Sequence, residues 1–249
     1  MIKNKIKILR DKFTKFKIDG YIVPKNDEYF SEYAKNDRLK NISNFSGSAG
    51  IAVILKKKNY LFVDGRYTIQ AVQQSGKNFN IIEIHKRLPH TIIKNLNLGY
   101  DPSVFTSKSL KNYFSNNNLI PVNNNLIDQI FKFKEKTTKP FYSLKKNIVG
   151  ESHNSKILKI VNYIKLNKSD YLFVSAPENV AWLLNIRGYD NPNSPIPNAR
   201  LIIDKNKKFF LITKKNNAKK IIKEKKINKN QVIDIKDFSK LIKNLKRMN

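Results

Sequence analysis

The spacing of apolar residues changes period repeatedly along the chain. Ile2, Ile6, Leu9, Phe13 and Phe16 recur at three- and four-residue steps, one face of a helix ending near Asp19-Gly20. Tyr21-Ile22-Val23, stopped by Pro24, predicts a short strand. Asn26 or Asp27 then offers an N-cap for a helix over residues 27–33. Residues 51–55 and 60–63 are apolar runs joined by Lys56-Lys57-Lys58-Asn59, which predicts a β-hairpin. Gly47-Ser48-Ala49-Gly50 before it reads as a turn using backbone angles that other residues resist. Asp64-Gly65-Arg66-Tyr67 leads from the hairpin into a helix over 67–75, where Ile69, Ala71 and Val72 alternate with glutamines. Strands at 79–84, 98–101 and 119–122 and helices at 90–96 and 106–114 follow. Alternation of this kind predicts an α/β fold, a sheet with helices packed on it.

Residues 131–151 are polar and Lys-rich and carry Pro140 and Gly150, so they read as a linker between domains at 1–130 and 152–249. Beyond it, residues 155–166 predict an amphipathic helix with Ile157, Leu158, Val161 and Ile164 inward. The pattern then repeats. Leu172-Phe173-Val174 and Ala176-Pro177-Glu178-Asn179 echo Tyr21-Ile22-Val23 and Pro24-Lys25-Asn26-Asp27. A helix at 179–184 answers that at 27–33, and Asn185-Ile186-Arg187-Gly188 takes the place of Asn44-Phe45-Ser46-Gly47. A second hairpin, 201–204 with 208–212, is followed by a helix at 217–225, a strand at 231–235 and a helix at 238–245. That last helix matches 90–96. The strand-helix-strand unit that comes next in the first repeat has no counterpart, so the second domain is expected to be truncated, or else simply smaller.

Composition adds bounds. The 249 residues suit one large or two ordinary domains, and a 40% hydrophobic share with 15 Phe and 11 Tyr is enough for packed cores. There is no uninterrupted apolar window long enough for a membrane span, no secretory signal pattern at the basic start, and no cysteine. A cytoplasmic location is the expectation. The net charge of +30 rests on 49 basic residues, of which seven are Arg. Nucleic-acid readers favour arginine concentrated on one face. Here lysines are scattered, which predicts a basic surface with weak nonspecific adhesion and no specific nucleic-acid partner. A basic nucleic-acid-binding protein is nevertheless kept as an alternative.

The candidate chemistry is sparse. Arg66, at the mouth of a strand-to-helix turn, stands where α/β folds tend to hold ligands. A plainer role is to pair with Asp64 and brace the turn. Arg187 and Asp190 open the Pro-rich loop 191–198 and form a second candidate rim, or a salt-bridged turn. Tyr67 and Trp182 read as packing anchors. His85, His90 and His153 form no metal-ligand array, so neither catalytic nor metal-ligating residues are predicted.

Taken together, Tyr21-Ile22-Val23-Pro24, Ser31-Glu32-Tyr33, Phe45-Ser46-Gly47-Ser48-Ala49-Gly50, Asp64-Gly65-Arg66-Tyr67 with Gln70-Ala71, Ala181-Trp182-Leu183 and Asn185-Ile186-Arg187-Gly188 with Asp190 and Pro195 carry a resemblance. The chain resembles the N-terminal region of three-domain aminopeptidase P (Xaa-Pro aminopeptidase), of the creatinase/prolidase group. Tyr29 departs from the pattern, in which His is common at that position. The resemblance implies two tandem creatinase N-terminal-like domains, each a mixed sheet flanked by helices. It implies that the chemistry lies in a pita-bread domain absent from these residues, where two divalent metals, usually manganese, activate water against an Xaa-Pro bond. It further implies a homodimer when full length, short Xaa-Pro peptides bound through the missing domain, and a substrate-restricting role here with Arg66 facing the cleft. Arg66, Tyr67, Arg187 and Asp190 are the candidate substrate-binding residues. A non-catalytic dimerising module is the other alternative.

Overall fold

In the computed structural model, which describes residues 2–31, 34, 36–131, 133 and 139–247, the chain divides into units at 1–135 and 136–249. The first is built on a six-stranded sheet. Its strands are β1 (Gly20–Pro24), β2 (Gly50–Leu55), β3 (Asn59–Val63), β4 (Asn80–Glu83), β5 (Asn97–Tyr100) and β6 (Asn118–Pro121), in the order β4-β3-β2-β1-β5-β6. Only β2 runs against the others. β1 lies at the centre and is buried along its whole length, as its unbroken apolar run requires. One face packs on helices Ile2–Asp11, Arg38–Ser43, Thr68–Ser75 and Leu126–Ile130, around Leu9, Tyr21, Ile42, Phe45 and Ile54. The other is closed by helix Ser107–Phe114, with Leu110 and Phe114 on Ile22, Val53 and Phe62. Each of those buried apolar side chains contributes about 1.5–3 kcal/mol.

The second unit repeats this plan. Its sheet is β8 (Tyr171–Val174), β10 (Arg200–Asp204), β11 (Phe209–Thr213) and β12 (Val232–Asp234), ordered β12-β11-β10-β8 with the strand directions of β4-β3-β2-β1. Helix His153–Leu166 supplies Ile157, Val161 and Ile164 to the core, and Pro177–Leu184 supplies Val180, Leu183 and Leu184. Leu158, expected inward, is exposed because it sits about 100° round the helix from Ile157, beside that stripe. Helix Phe238–Arg247 comes last among the described elements.

Four local expectations are corrected. Residues 27–31 form a turn, with Glu32 and Tyr33 outside the described residues. The Asp27 carboxylate accepts from the Tyr29 and Ser31 amides, and Phe30 adopts φ 59°, so the cap closes a turn without starting a helix. The helix matching Pro177–Leu184 is Arg38–Ser43, and both end on a left-handed asparagine, Asn44 or Asn185. Gly47 and Gly50 have no positive φ; Gly47 is needed for space, since a Cβ there would lie 2.3 Å from Cζ of Phe45. Finally, residues 139–151 of the expected linker fold onto the second unit. Phe141 is fully buried and donates to the Asn217 carbonyl, and β7 (Tyr142–Ser143) pairs with β9 (Ile186–Arg187).

Candidate functional site

The carboxyl ends of β1, β3 and β4 meet the start of β2 around an open cleft of about 310 Å³, with Lys25, Asn26, Ser48, Asp64, His85 and Tyr113 in its wall. Strand ends leave backbone groups and polar loop residues together, which is why α/β sheets collect sites there. Several wall residues are fixed by a neighbour. Lys25, nearly buried, pairs with Asp37 at 2.5 Å, and Asp37 also caps helix Arg38–Ser43. Asn26 donates to the Val104 carbonyl at 2.9 Å. Behind this loop Arg38 grips Asp128 through two nitrogens at 2.8 and 2.7 Å and reaches Glu28 at 2.5 Å. Burial raises the Asp27 carboxyl above its ordinary value, against its two amide donors.

Arg66 lies two residues beyond Asp64 and is not itself one of the residues lining the cleft. Asp64 accepts from the Arg66 amide at 3.0 Å and from Nε at 2.8 Å, so one carboxylate oxygen both caps the short 3₁₀ turn Gly65–Tyr67 and aims the guanidinium. The Arg66 side chain is 72% exposed. That contact and the cap hold the Asp64 carboxyl below the usual range, with a smaller pull from His85, 3.8 Å away. Tyr67 points inward, its hydroxyl 2.8 Å from Ser48 Oγ and its ring edge-on to Phe45. Arg66 and Tyr67 are thus together, one exposed and one packed inward, with the guanidinium 5.4 Å from the Tyr67 ring centre.

The second pair is used otherwise. Arg187, on β9, donates from Nη1 to the Ile186 and Ala181 carbonyls at 2.9 and 3.3 Å. Asp190 is buried and accepts from the Asn198 amide at 2.8 Å, closing the Pro-rich loop. Trp182, expected to pack, is 56% exposed, with the Lys156 ammonium 4.0 Å from its ring centre. Lys156 was missed by the sequence reading. It is buried, and it donates to the Trp182 carbonyl and to Asn185 Oδ1 at 2.8 and 2.7 Å. Its place in an apolar-phase position of helix His153–Leu166 was the available signal. Among the described residues no group of three or more His, Cys, Asp or Glu could hold a metal, so the residues present do not fit a two-metal site. No described helix is long and apolar enough to cross a membrane.

The repeats differ at one informative place. Registers align Phe62 with Ile212 and hence Asp64 with Lys214. There the second repeat passes from strand to helix Lys215–Lys223 without a side-chain cap and without an Asp-Gly-Arg sequence. The second repeat, which lacks the capped 3₁₀ turn, makes its strand-to-helix passage without an arginine there.

Known proteins resemble the chain along its length. Two profiles described as Creatinase/Prolidase N-terminal domain match residues 5–130 and 133–249. A probable Xaa-Pro aminopeptidase P of Coprinopsis cinerea is 29% identical over 228 residues, 83% of this chain and 36% of that protein. Xaa-Pro aminopeptidase 2 of Rattus norvegicus is 32% identical over 207 residues, 75% of this chain and 30% of its own length. The chain therefore spans about a third of these relatives. The crystal structure of X-prolyl aminopeptidase from Caenorhabditis elegans, described as a cytosolic enzyme with a di-nuclear active site, superposes with TM-score 0.87 at 22% identity, covering 100% of this chain and 45% of that one. With both units matched, the chain belongs to the creatinase/prolidase N-terminal domain family.

Proposed function

We propose that this chain is the N-terminal, substrate-restricting and oligomerising part of an Xaa-Pro aminopeptidase-like metallopeptidase, which removes the residue preceding proline. The observation that carries this reading is Arg66. The second repeat passes from strand to helix without it, yet in the first repeat Asp64, itself in the wall of the cleft, holds it outward. An arginine so held suits a peptide carboxylate or carbonyl better than a lysine does, because its planar fork binds two acceptors. In this reading a catalytic domain outside these residues supplies the two divalent metals, manganese by family resemblance. Short Xaa-Pro peptides reach them past Arg66 in a cytoplasmic homodimer.

The test joins this chain to a metal-binding domain of the family and compares wild type with Arg66→Lys. The expected result is a KM about tenfold higher at nearly unchanged kcat, the mark of lost uniform binding. Identical KM and kcat remove Arg66 from substrate recognition. The chain alone, with manganese and an Xaa-Pro dipeptide, is expected to show no hydrolysis; turnover there overturns the reading.

A further inference from the structure

An ammonium group carries three N–H donors, and burying one is costly unless those donors are met. Lys25 follows directly on β1, and its side chain is 9% exposed. Among the described residues its Nζ has one acceptor, Oδ2 of Asp37, while Oδ1 of Asp37 accepts from the Lys40 amide. One N–H of three is thereby used. Lys25 also lines the cleft at the strand ends, so the cleft is where the remaining donors can meet acceptors.

Two further donors share that wall. His85 lies just past β4, its side chain 75% exposed and its Nε2 3.8 Å from Oδ2 of Asp64. The Tyr113 hydroxyl, from helix Ser107–Phe114, has no hydrogen-bond partner among the described residues. The acids nearby are already matched: Lys25 pairs with Asp37, and Arg66 pairs with Asp64, the one carboxylate among the lining residues. What the wall has in surplus is hydrogen-bond donors. Every lining residue lies in the first unit, which includes β5, helix Ser107–Phe114 and β6.

We propose that this cleft takes the free carboxylate end of a short peptide, with Lys25 as its charged partner and His85 and Tyr113 as further donors. An ionised carboxylate is acceptor-only and has about four lone-pair sites, which suits a wall with donors to spare. Ile51 and Ile84, also in the wall, offer apolar surface to the terminal side chain. At about 310 Å³ the cleft is at the small end of ligand sites, so it suits the end of a peptide better than a chain running through. With the carboxylate held by Lys25, a peptide carbonyl is left for Arg66. The proposal rests on the reading of this chain as the substrate-restricting part of a peptidase and gives that restriction a physical form. An enzyme that grips its substrate at both ends measures its length, so long or amidated peptides are disfavoured.

An amide NMR titration of the whole chain tests it with three probes: the tripeptide Ala-Pro-Ala, the same peptide as its C-terminal amide, and acetate. The expected result is that the free acid shifts the amides of Asn26, Ser48 and His85 and binds about tenfold more tightly than the amide. Acetate is expected to shift the same amides more than about tenfold more weakly than the tripeptide. Lys25→Met is expected to erase the preference for acid over amide. The double variant His85→Gln with Tyr113→Phe keeps the Lys25–Asp37 pair and is expected to lose about tenfold for the acid and nothing for the amide. Unchanged affinities in that double variant overturn the proposal whether or not Lys25→Met folds. Equal binding of acid and amide overturns it too, and acetate binding as tightly as the tripeptide overturns the assignment to a peptide. A chain that binds none of the probes, while Arg66→Lys still raises KM in the joined enzyme, overturns this proposal and leaves the peptidase reading standing.

Discussion

Arg38 shows how much of the first unit hangs on single side chains. It is nearly buried and joins Glu28, on the loop after β1, to Asp128, on helix Leu126–Ile130. Arg38→Met would leave two carboxylates facing each other. Because both are more than a third exposed, water offsets part of the loss, and the expected cost is about 2 kcal/mol rather than the 3–5 of a fully buried pair. A urea denaturation midpoint reads this directly. Gly47→Ala acts through space instead. The added methyl would strike the Phe45 ring, which is itself enclosed by the core, so about 1–3 kcal/mol should be lost. His153 sets a pH dependence for the second unit. Burial, and then the charge of Lys226, hold it below its ordinary 6.5. The unfolded chain therefore binds this proton more tightly than the folded one. Stability is intact above pH 6.5 and is lost as the pH falls through the lowered value. Melting curves through that range should shift downward in wild type and flatten in His153→Gln.

At the scale of elements, the sequence was most legible where period and punctuation agree. Both hairpins, the strand stopped by Pro24 and helix Ser107–Phe114 with its Thr106 cap were all readable, and the Thr106–Ser109 capping box is present. Thr106→Ala should cost about 1 kcal/mol, visible as a lower melting temperature. The repeat was readable too, because strand order and register depend on apolar runs that survive divergence. What was not legible was competition between local and tertiary partners. Asp27 looked like a helix cap, and its side chain does accept backbone amides, but Phe30 in the left-handed region diverts the chain. On helix Thr68–Ser75 only Ala71 of the three interleaved apolar residues is buried; Ile69 is 75% exposed. Period alone does not say which face meets the sheet. The candidate site was half legible. Asp-Gly-Arg at a strand end marks a turn and a cation, and the structure adds the cleft beside it. The structural use of Asp190 depends on the Asn198 amide, eight residues on, which no local pattern reveals.

Over the whole molecule the dominant property is charge. The lysine runs fall on separate elements: Lys56-Lys57-Lys58 in the β2–β3 turn, Lys207-Lys208 in the β10–β11 turn, and Lys219-Lys220 on helix Lys215–Lys223. In each hairpin a turn lysine reaches back to an acid next to the sheet, Lys56 to Asp19 and Lys205 to Asp170, both at 2.6 Å. Those two lysines are therefore held by internal pairs, and the three runs lie on separate elements. Binding to RNA should then be governed by counterion release alone. Fluorescence anisotropy with two labelled single strands, one pyrimidine-rich and one purine-rich, should give dissociation constants within about twofold of each other, both weakening steeply with salt. A preference of about tenfold or more that survives high salt would mean that the surface reads bases, which backbone contacts cannot do.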